Sequence, residues 1–229
     1  MTIPGVVIAS LAVLLILLWT LANWRFAGVG SAVRVFLIFA LLAWMQISVA
    51  RLGFLREWGI RPVPVFAVMF ISVALVLWRV FSRLGGKLSQ APLVWLIGFQ
   101  AFRFPLELAL HKAFVDGLMP VQMSYSGLNF DIVTGITALI VAALAHKGLA
   151  SKWLVIAWNA VGTILLFVIV AVAILSTPVF AAFGQDHLNT WIADAPYVLL
   201  PGILVPTALA GHLLLWRRLI SRNADASRW

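Results

Sequence analysis

The chain has 229 residues, 64% of them hydrophobic and only 10% charged, with a net charge of +9, a mean hydropathy of +1.09 and no cysteine. Soluble domains carry about 25% charged residues, so there is too little polar surface here to coat a water-soluble globule. The missing cysteines exclude disulfides, thiolate metal sites and thiol catalysis. At about 20 residues per membrane span, residues 1–229 read as one transmembrane domain with no room for a second, soluble one.

Seven apolar runs follow one another along the chain. The first, Gly5–Ala22, lacks a basic segment in front of it, and its first positive residue, Arg25, comes after it. A cleaved signal peptide has the opposite charge order, so this run is expected to be a permanent helix. Ala32–Ala50 and Val63–Phe81 come next, the former with Gln46 as a candidate for interhelical hydrogen bonding. Ala91–Phe114 is interrupted by charge, at Arg103, Glu107 and His111. A loop rich in Gly, Ser and Pro, Val115–Phe130, leads to the short run Asp131–His146. Lys152–Leu175 carries one polar residue in its middle, Asn159, read as interhelical glue. A second long loop, Ser176–Ala195, mixes Phe180, Phe183, Trp191 and Ile192 with Asp186, His187 and Asn189, a composition suited to lying along a membrane surface. The last run, Pro196–Trp216, holds Pro201 and Pro206 around Gly202, so its first half is expected to depart from a regular helix and to release backbone carbonyls. Barrel strands would be alternating segments of about ten residues. These runs are longer and apolar on all sides, so the expected fold is all-α, a polytopic membrane protein with seven transmembrane helices.

The basic residues divide unequally between the two sets of connections. Arg25, Arg34, Arg79, Arg83, Lys87, Lys147, Lys152, Arg217, Arg218, Arg222 and Arg228 fall on one side, and Arg51, Arg56, Arg61 and Lys112 on the other. Positive residues favour the cytoplasm, which predicts an N-terminus outside and a C-terminus inside a bacterial inner (plasma) membrane. This distribution explains the net charge without a nucleic-acid partner. The expected partners are the lipid bilayer, a small-molecule or ion ligand, and other membrane proteins.

The fourth run places Arg103, Glu107 and His111 at intervals of four residues, which aligns them on one helix face. A central Arg costs about 2.5 to 3.5 kcal/mol in insertion experiments, so this stripe must face other helices or a wet cavity. Pro105, inside the stripe, frees the carbonyl of Ala101. Asn129 and Asp131, at the start of the next run, fall at the same end as His111. A structural reading of these groups is available: Asn129 as a helix cap, Asp131 as a complement to the helix dipole, and Arg103 with Glu107 as a self-neutralising pair. Against it stands the rule that ionisable groups inside a membrane mark ion pathways, proton relays or ligand sites.

Several membrane families fail on their own requirements. A retinal Schiff base needs a lysine in the last helix, and Pro196–Trp216 has none. Seven-helix zinc hydrolases of the ceramidase and adiponectin-receptor kind are similar only in bulk, because His212 stands alone where they carry a histidine pair. The stretch FRFPLELALH followed by MSYSGLNFDIVTGITA resembles a segment of uncharacterised bacterial inner-membrane proteins, and that resemblance implies no activity. The expected function is an outward-facing polar cavity binding a small ligand, ion or proton for transport or sensing. In it Arg103 is the anion-binding or charge-balancing group, Glu107 the titratable group, and His111, Asn129 and Asp131 complete the site. The alternatives are a metal-dependent hydrolase built on His111, Asp131 and His187, and a non-catalytic subunit of a larger membrane complex. The sequence names no cofactor.

Overall fold

The structure is a computed structural model that describes residues 2–221; Arg222 and Arg228, counted above for orientation, lie outside the described residues. Among the described residues there is no strand. The helices are α1 (Ile3–Ala27), α2 (Val29–Arg51), α3 (Pro64–Phe81), α4 (Arg83–Leu88), α5 (Leu93–Gly98), α6 (Arg103–Val115), α7 (Asp131–His146), α8 (Lys152–Leu175) and α9 (Val205–Ser221). Six segments are long and apolar enough to cross a membrane: α1, α2, α3, α5 with α6 as one run from Leu93 to Val115, α8, and the run from Leu200 to Ser221. The seventh apolar helix, α7, is shorter, at 16 residues.

Local signals set most helix ends. Thr2 caps α1 by accepting from the Gly5 N–H at 3.2 Å, with Pro4 in the first turn where its missing N–H is harmless. Gly28, at φ 82° and ψ 172°, takes an extended conformation of positive φ that is open to glycine, which ends α1 and admits α2. Ser151 caps α8 through the Leu154 N–H at 3.2 Å. The short helix α4, which the apolar pattern does not announce, starts on Ser82 in the same way.

Two ends of the bundle can be told apart by what ties them together. At one end Asn23 of α1, Ser31 of α2 and Arg79 of α3 share hydrogen bonds, Arg217 donates to the carbonyls of Val80 and Ser82, and Arg218 donates to that of Ala91. This is the basic end. Trp24, Trp78, Trp95 and Trp153 are exposed around it, the belt expected where a bundle meets headgroups. At the opposite end Thr2 bonds to Tyr197 at 2.6 Å and Arg56 bridges to Asp194 at 2.6 Å. Asp194 raises the Arg56 pKa by hydrogen bond and charge, although an exposed pair of this kind contributes at most about 1 kcal/mol.

The two long loops do not lie flat. Gln122 donates to Ser176 Oγ at 3.0 Å and to the His187 carbonyl at 2.8 Å, which ties them together. Trp191 and Ile192 are buried in the core beneath them, so the expectation that they line the membrane surface fails for these two; Phe180 remains exposed. Met119, Gln122, Met123, Ser124 and Asn129 are buried as well, which means that the first loop folds back into the bundle. This explains the shortness of α7. Its 16 residues span about 24 Å against a hydrocarbon core of about 30 Å. Gly135 of α7 packs on the Arg103–Phe104 backbone, and Asn129 reaches Glu107. From Glu107, α6 continues about 12 Å to Val115. The inward-folded loop fills that layer in place of helix.

Candidate functional site

The run from Leu93 to Val115 is not uniform. Between α5 and α6 the residues Phe99–Phe102 tighten into a 3-10 turn, three residues before Pro105. Proline removes a backbone donor and crowds the preceding turn, and the tighter turn absorbs this. The result delivers Arg103, only 1% exposed, to the centre of the bundle.

Arg103 does not pair with Glu107. Its guanidinium forks onto Asp131, with Nε donating to Oδ2 at 2.6 Å and Nη2 bridged to Oδ1, and Nη1 contacts His212 Nε2 at 2.8 Å. A guanidinium only donates, so His212 Nε2 accepts and the imidazole proton sits on Nδ1. That nitrogen donates to Asn159 Oδ1 at 2.8 Å, and Asn159 Nδ2 returns a bond to the His212 carbonyl at 3.2 Å. His212 is therefore neutral and held in one tautomer from both sides.

On the other flank Asn129 uses all its amide hydrogens. Nδ2 donates to Glu107 Oε2 at 2.6 Å and to the Met123 carbonyl at 3.0 Å, while Oδ1 accepts the Asp131 N–H at 3.1 Å. The expected capping role of Asn129 is thus present as a bond two residues along, with Phe130 in the cap position itself. The chain of contacts from Asn159 through His212, Arg103, Asp131 and Asn129 to Glu107 is continuous, and all six residues are at most 4% exposed.

Close approach of this kind requires missing side chains opposite. A Cβ on Gly162 would lie 2.6 Å from His212 Cε1, and one on Gly135 would lie 2.4 Å from the Phe104 backbone nitrogen. Gly211 leaves room for Gln100, which donates to the Ala208 carbonyl at 2.9 Å. We expect Gly162→Ala to push the imidazole off Arg103 and to cost about 1 to 3 kcal/mol, as overpacking does. Thermal unfolding in detergent measures this; an unchanged midpoint would show that His212 is not confined.

A cavity of about 70 Å3 adjoins Glu107, Arg103, Asn129 and Asp131. Its remaining walls are apolar side chains from the first half of α3, the second half of α8 and the start of the last span, such as Met69, Leu166 and Leu204. It lies in the half of the bundle away from the basic end, beneath Met123 and Ile192 of the two loops.

His111, the third member of the predicted stripe, is elsewhere. It is half-buried, stacks on Tyr125 with ring centroids 4.2 Å apart, and meets Ser126 at 3.3 Å. His187 is exposed, and among the described residues no group of three His, Asp or Glu could hold a metal ion. The carbonyls expected to be released around Pro201 and Pro206 are also accounted for. Residues Leu200–Leu204 form a π turn, the Gly202 carbonyl accepts from Gln46 Nε2 at 3.4 Å, and that of Tyr197 accepts the Leu200 N–H at 2.9 Å.

The sequence reading missed His212 and undervalued Asn159. In the sequence His212 is a lone histidine near the end of the last run, with Arg217 and Arg218 close behind it. The helix runs on to Ser221, and both arginines turn to backbone carbonyls, which leaves the histidine about 13 Å inside the helix end. The available signal was the pairing of intramembrane polar residues with glycines, Gly162 near Asn159 and Gly211 beside His212.

Six long apolar helices around a buried, fully interlocked charge cluster define a multi-pass membrane protein with an ionisable interior. The chain belongs to a family known by a domain of unknown function (DUF8737), whose model matches residues 60–220. That stretch contains every residue of the cluster and leaves α1 and α2 outside it. No curated protein and no solved structure matches the chain.

Proposed function

We propose that Glu107 and its cavity form an exchange site for a proton or a small cation, serving transport or sensing across a bacterial inner membrane. The observation that carries this reading is the charge balance. Asp131 answers Arg103, His212 is neutral, and Glu107 has an amide rather than a cation against its carboxylate. A lone buried carboxylate is very costly, so Glu107 either holds a proton or shares the cavity with a cation. The cavity size agrees: drug-sized ligands need about 300 to 1,000 Å3, whereas about 70 Å3 holds a few waters or one small ion. Arg103, its charge answered by Asp131, serves as the balancing group.

The same reading has seven crossings, with α7 completing its span through the inward-folded loop, and the basic end in the cytoplasm. A cytoplasm-active fluorescent reporter fused after Trp229 should then give signal, and a periplasm-active phosphatase should not. The reverse pattern would overturn the orientation and place the cavity on the inner side.

For transport the test is flux. Proteoliposomes with an internal pH dye, under an imposed proton, sodium or potassium gradient, should show flux with the wild type and at least about a ten-fold loss with Glu107→Gln, the size of loss typical for a proton-transferring group. Absent flux with an intact Glu107 titration would leave sensing. A Glu107→Gln variant equal to the wild type in both flux and titration would overturn the reading. The hydrolase alternative has lost its ligands, because Asp131 is committed to Arg103 and His111 to Tyr125.

A further inference from the structure

A second, larger cleft of about 440 Å3 lies between α1 and the α5 segment, toward the basic end. Leu18, Trp19, Ala22 and Phe26 form one wall, and Trp95 and Phe99 the other. Leu21 and Trp95 on its rim are 53% and 55% exposed, so the cleft opens sideways, onto the apolar perimeter of the bundle. An apolar void of this size does not hold ordered water, which needs polar partners, and left empty it forfeits dispersion contacts along its walls. In a bilayer the molecule at hand to fill it is a lipid.

The basic end of the cleft identifies the kind of lipid. The Arg25 guanidinium lies 5.7 Å from the ring centroid of Phe26, a wall residue. Lys87 on α4 precedes Leu88, also a wall residue, and α4 packs directly on α1. Both cations are exposed. Among the described residues no carboxylate lies at this end: Glu57, Glu107, Asp116, Asp131, Asp186 and Asp194 all belong to the other half. We propose that the cleft between α1 and α5 is a built site for one anionic phospholipid, with an acyl chain along Leu18, Ala22 and Val94, beside the edge-to-face contact of Trp19 with Phe99, and the phosphate between Arg25 and Lys87. The lipid would seal α1, which lies outside the family-matched stretch, onto the rest of the bundle.

The test uses the whole protein in nanodiscs of equal phosphatidylglycerol and phosphatidylcholine, with retained lipid counted by native mass spectrometry after transfer to mild detergent. The wild type should keep one phospholipid and prefer the anionic one by about ten-fold or more, since each basic residue near the headgroup favours negative charge. Ala22→Trp, which fills the cleft, should cut retention by a similar factor. Arg25→Gln with Lys87→Gln changes only exposed side chains and leaves the packing intact, so it remains informative if the cleft-filling variant does not fold. It should keep a bound lipid but lose the preference to within about two-fold. Equal retention of the two lipids by the wild type, an unchanged preference in the Arg25/Lys87 variant, or undiminished retention by a folded Ala22→Trp protein would each overturn the proposal.

Discussion

Asp131→Asn will destabilise the folded protein by about 3 to 5 kcal/mol, the usual cost of removing one partner from a buried ion pair. Arg103 is 1% exposed and forks onto both carboxylate oxygens, so the change leaves its charge in the core with only an amide and His212 for partners. Glu107→Gln should cost far less, under about 1.5 kcal/mol as a near-isosteric change, because Arg103 keeps Asp131. The order of these two variants discriminates between pairings: had Glu107 been the counter-ion, Glu107→Gln would be the damaging one. The double change Arg103→Met with Asp131→Leu should recover most of the loss. A residue of about 1 to 3 kcal/mol should remain, since His212 Nε2 then lacks its donor. Denaturant or thermal unfolding in detergent of the two single variants and the double variant measures all three values. Equal loss in Asp131→Asn and Glu107→Gln would contradict the pairing of Arg103 with Asp131.

Gly135→Ala is expected to cost about 1 to 3 kcal/mol, even though alanine favours helix over glycine by about 1 kcal/mol. The added Cβ would meet the Phe104 nitrogen at 2.4 Å and the Arg103 carbonyl carbon at 2.9 Å. These are backbone atoms, which cannot swing aside as a side-chain tip does. α7 must then move off α6, carrying Asp131 away from Arg103 and loosening the whole chain of contacts. Gly30→Ala provides the control: this helical position has open space around it, and the same substitution there should gain about 0.4 to 1 kcal/mol. Matched unfolding curves for the two variants check the contrast, and a neutral or stabilising Gly135→Ala would show that the helices have slack at this crossing.

The apolar runs made the helices legible because a bilayer demands long uninterrupted apolar segments, and the boundaries of Asp131–His146 and Lys152–Leu175 agree with the structure to the residue. The polar cluster was legible only in part. Spacing within one helix puts Arg103 and Glu107 on one face, and it says nothing about which neighbour supplies the counter-ion. Asp131 competes successfully because the loop before α7 folds inward and presents the carboxylate at the right depth. No periodicity signals that fold, since it depends on Gln122, Ser176 and the His187 carbonyl, residues far apart in the chain. The stripe rule also overreached at His111, where one turn beyond Glu107 carries the helix out of the interior to Tyr125 and Ser126. His212 stayed hidden for a related reason: nearby arginines usually mark an interface, and here they bind backbone carbonyls of other segments.

The exchange of a proton or small cation at Glu107 is tested most directly by infrared difference spectroscopy of the wild type and Glu107→Gln in nanodiscs, titrated with alkali and then with sodium or potassium. The wild type should show a carboxylic-acid carbonyl band that shifts in heavy water, disappears on titration and is absent from Glu107→Gln. A wild-type spectrum without that band at any pH, and without a carboxylate response to either cation, would mean that Glu107 stays ionised and exchanges nothing, and the proposed function would fall.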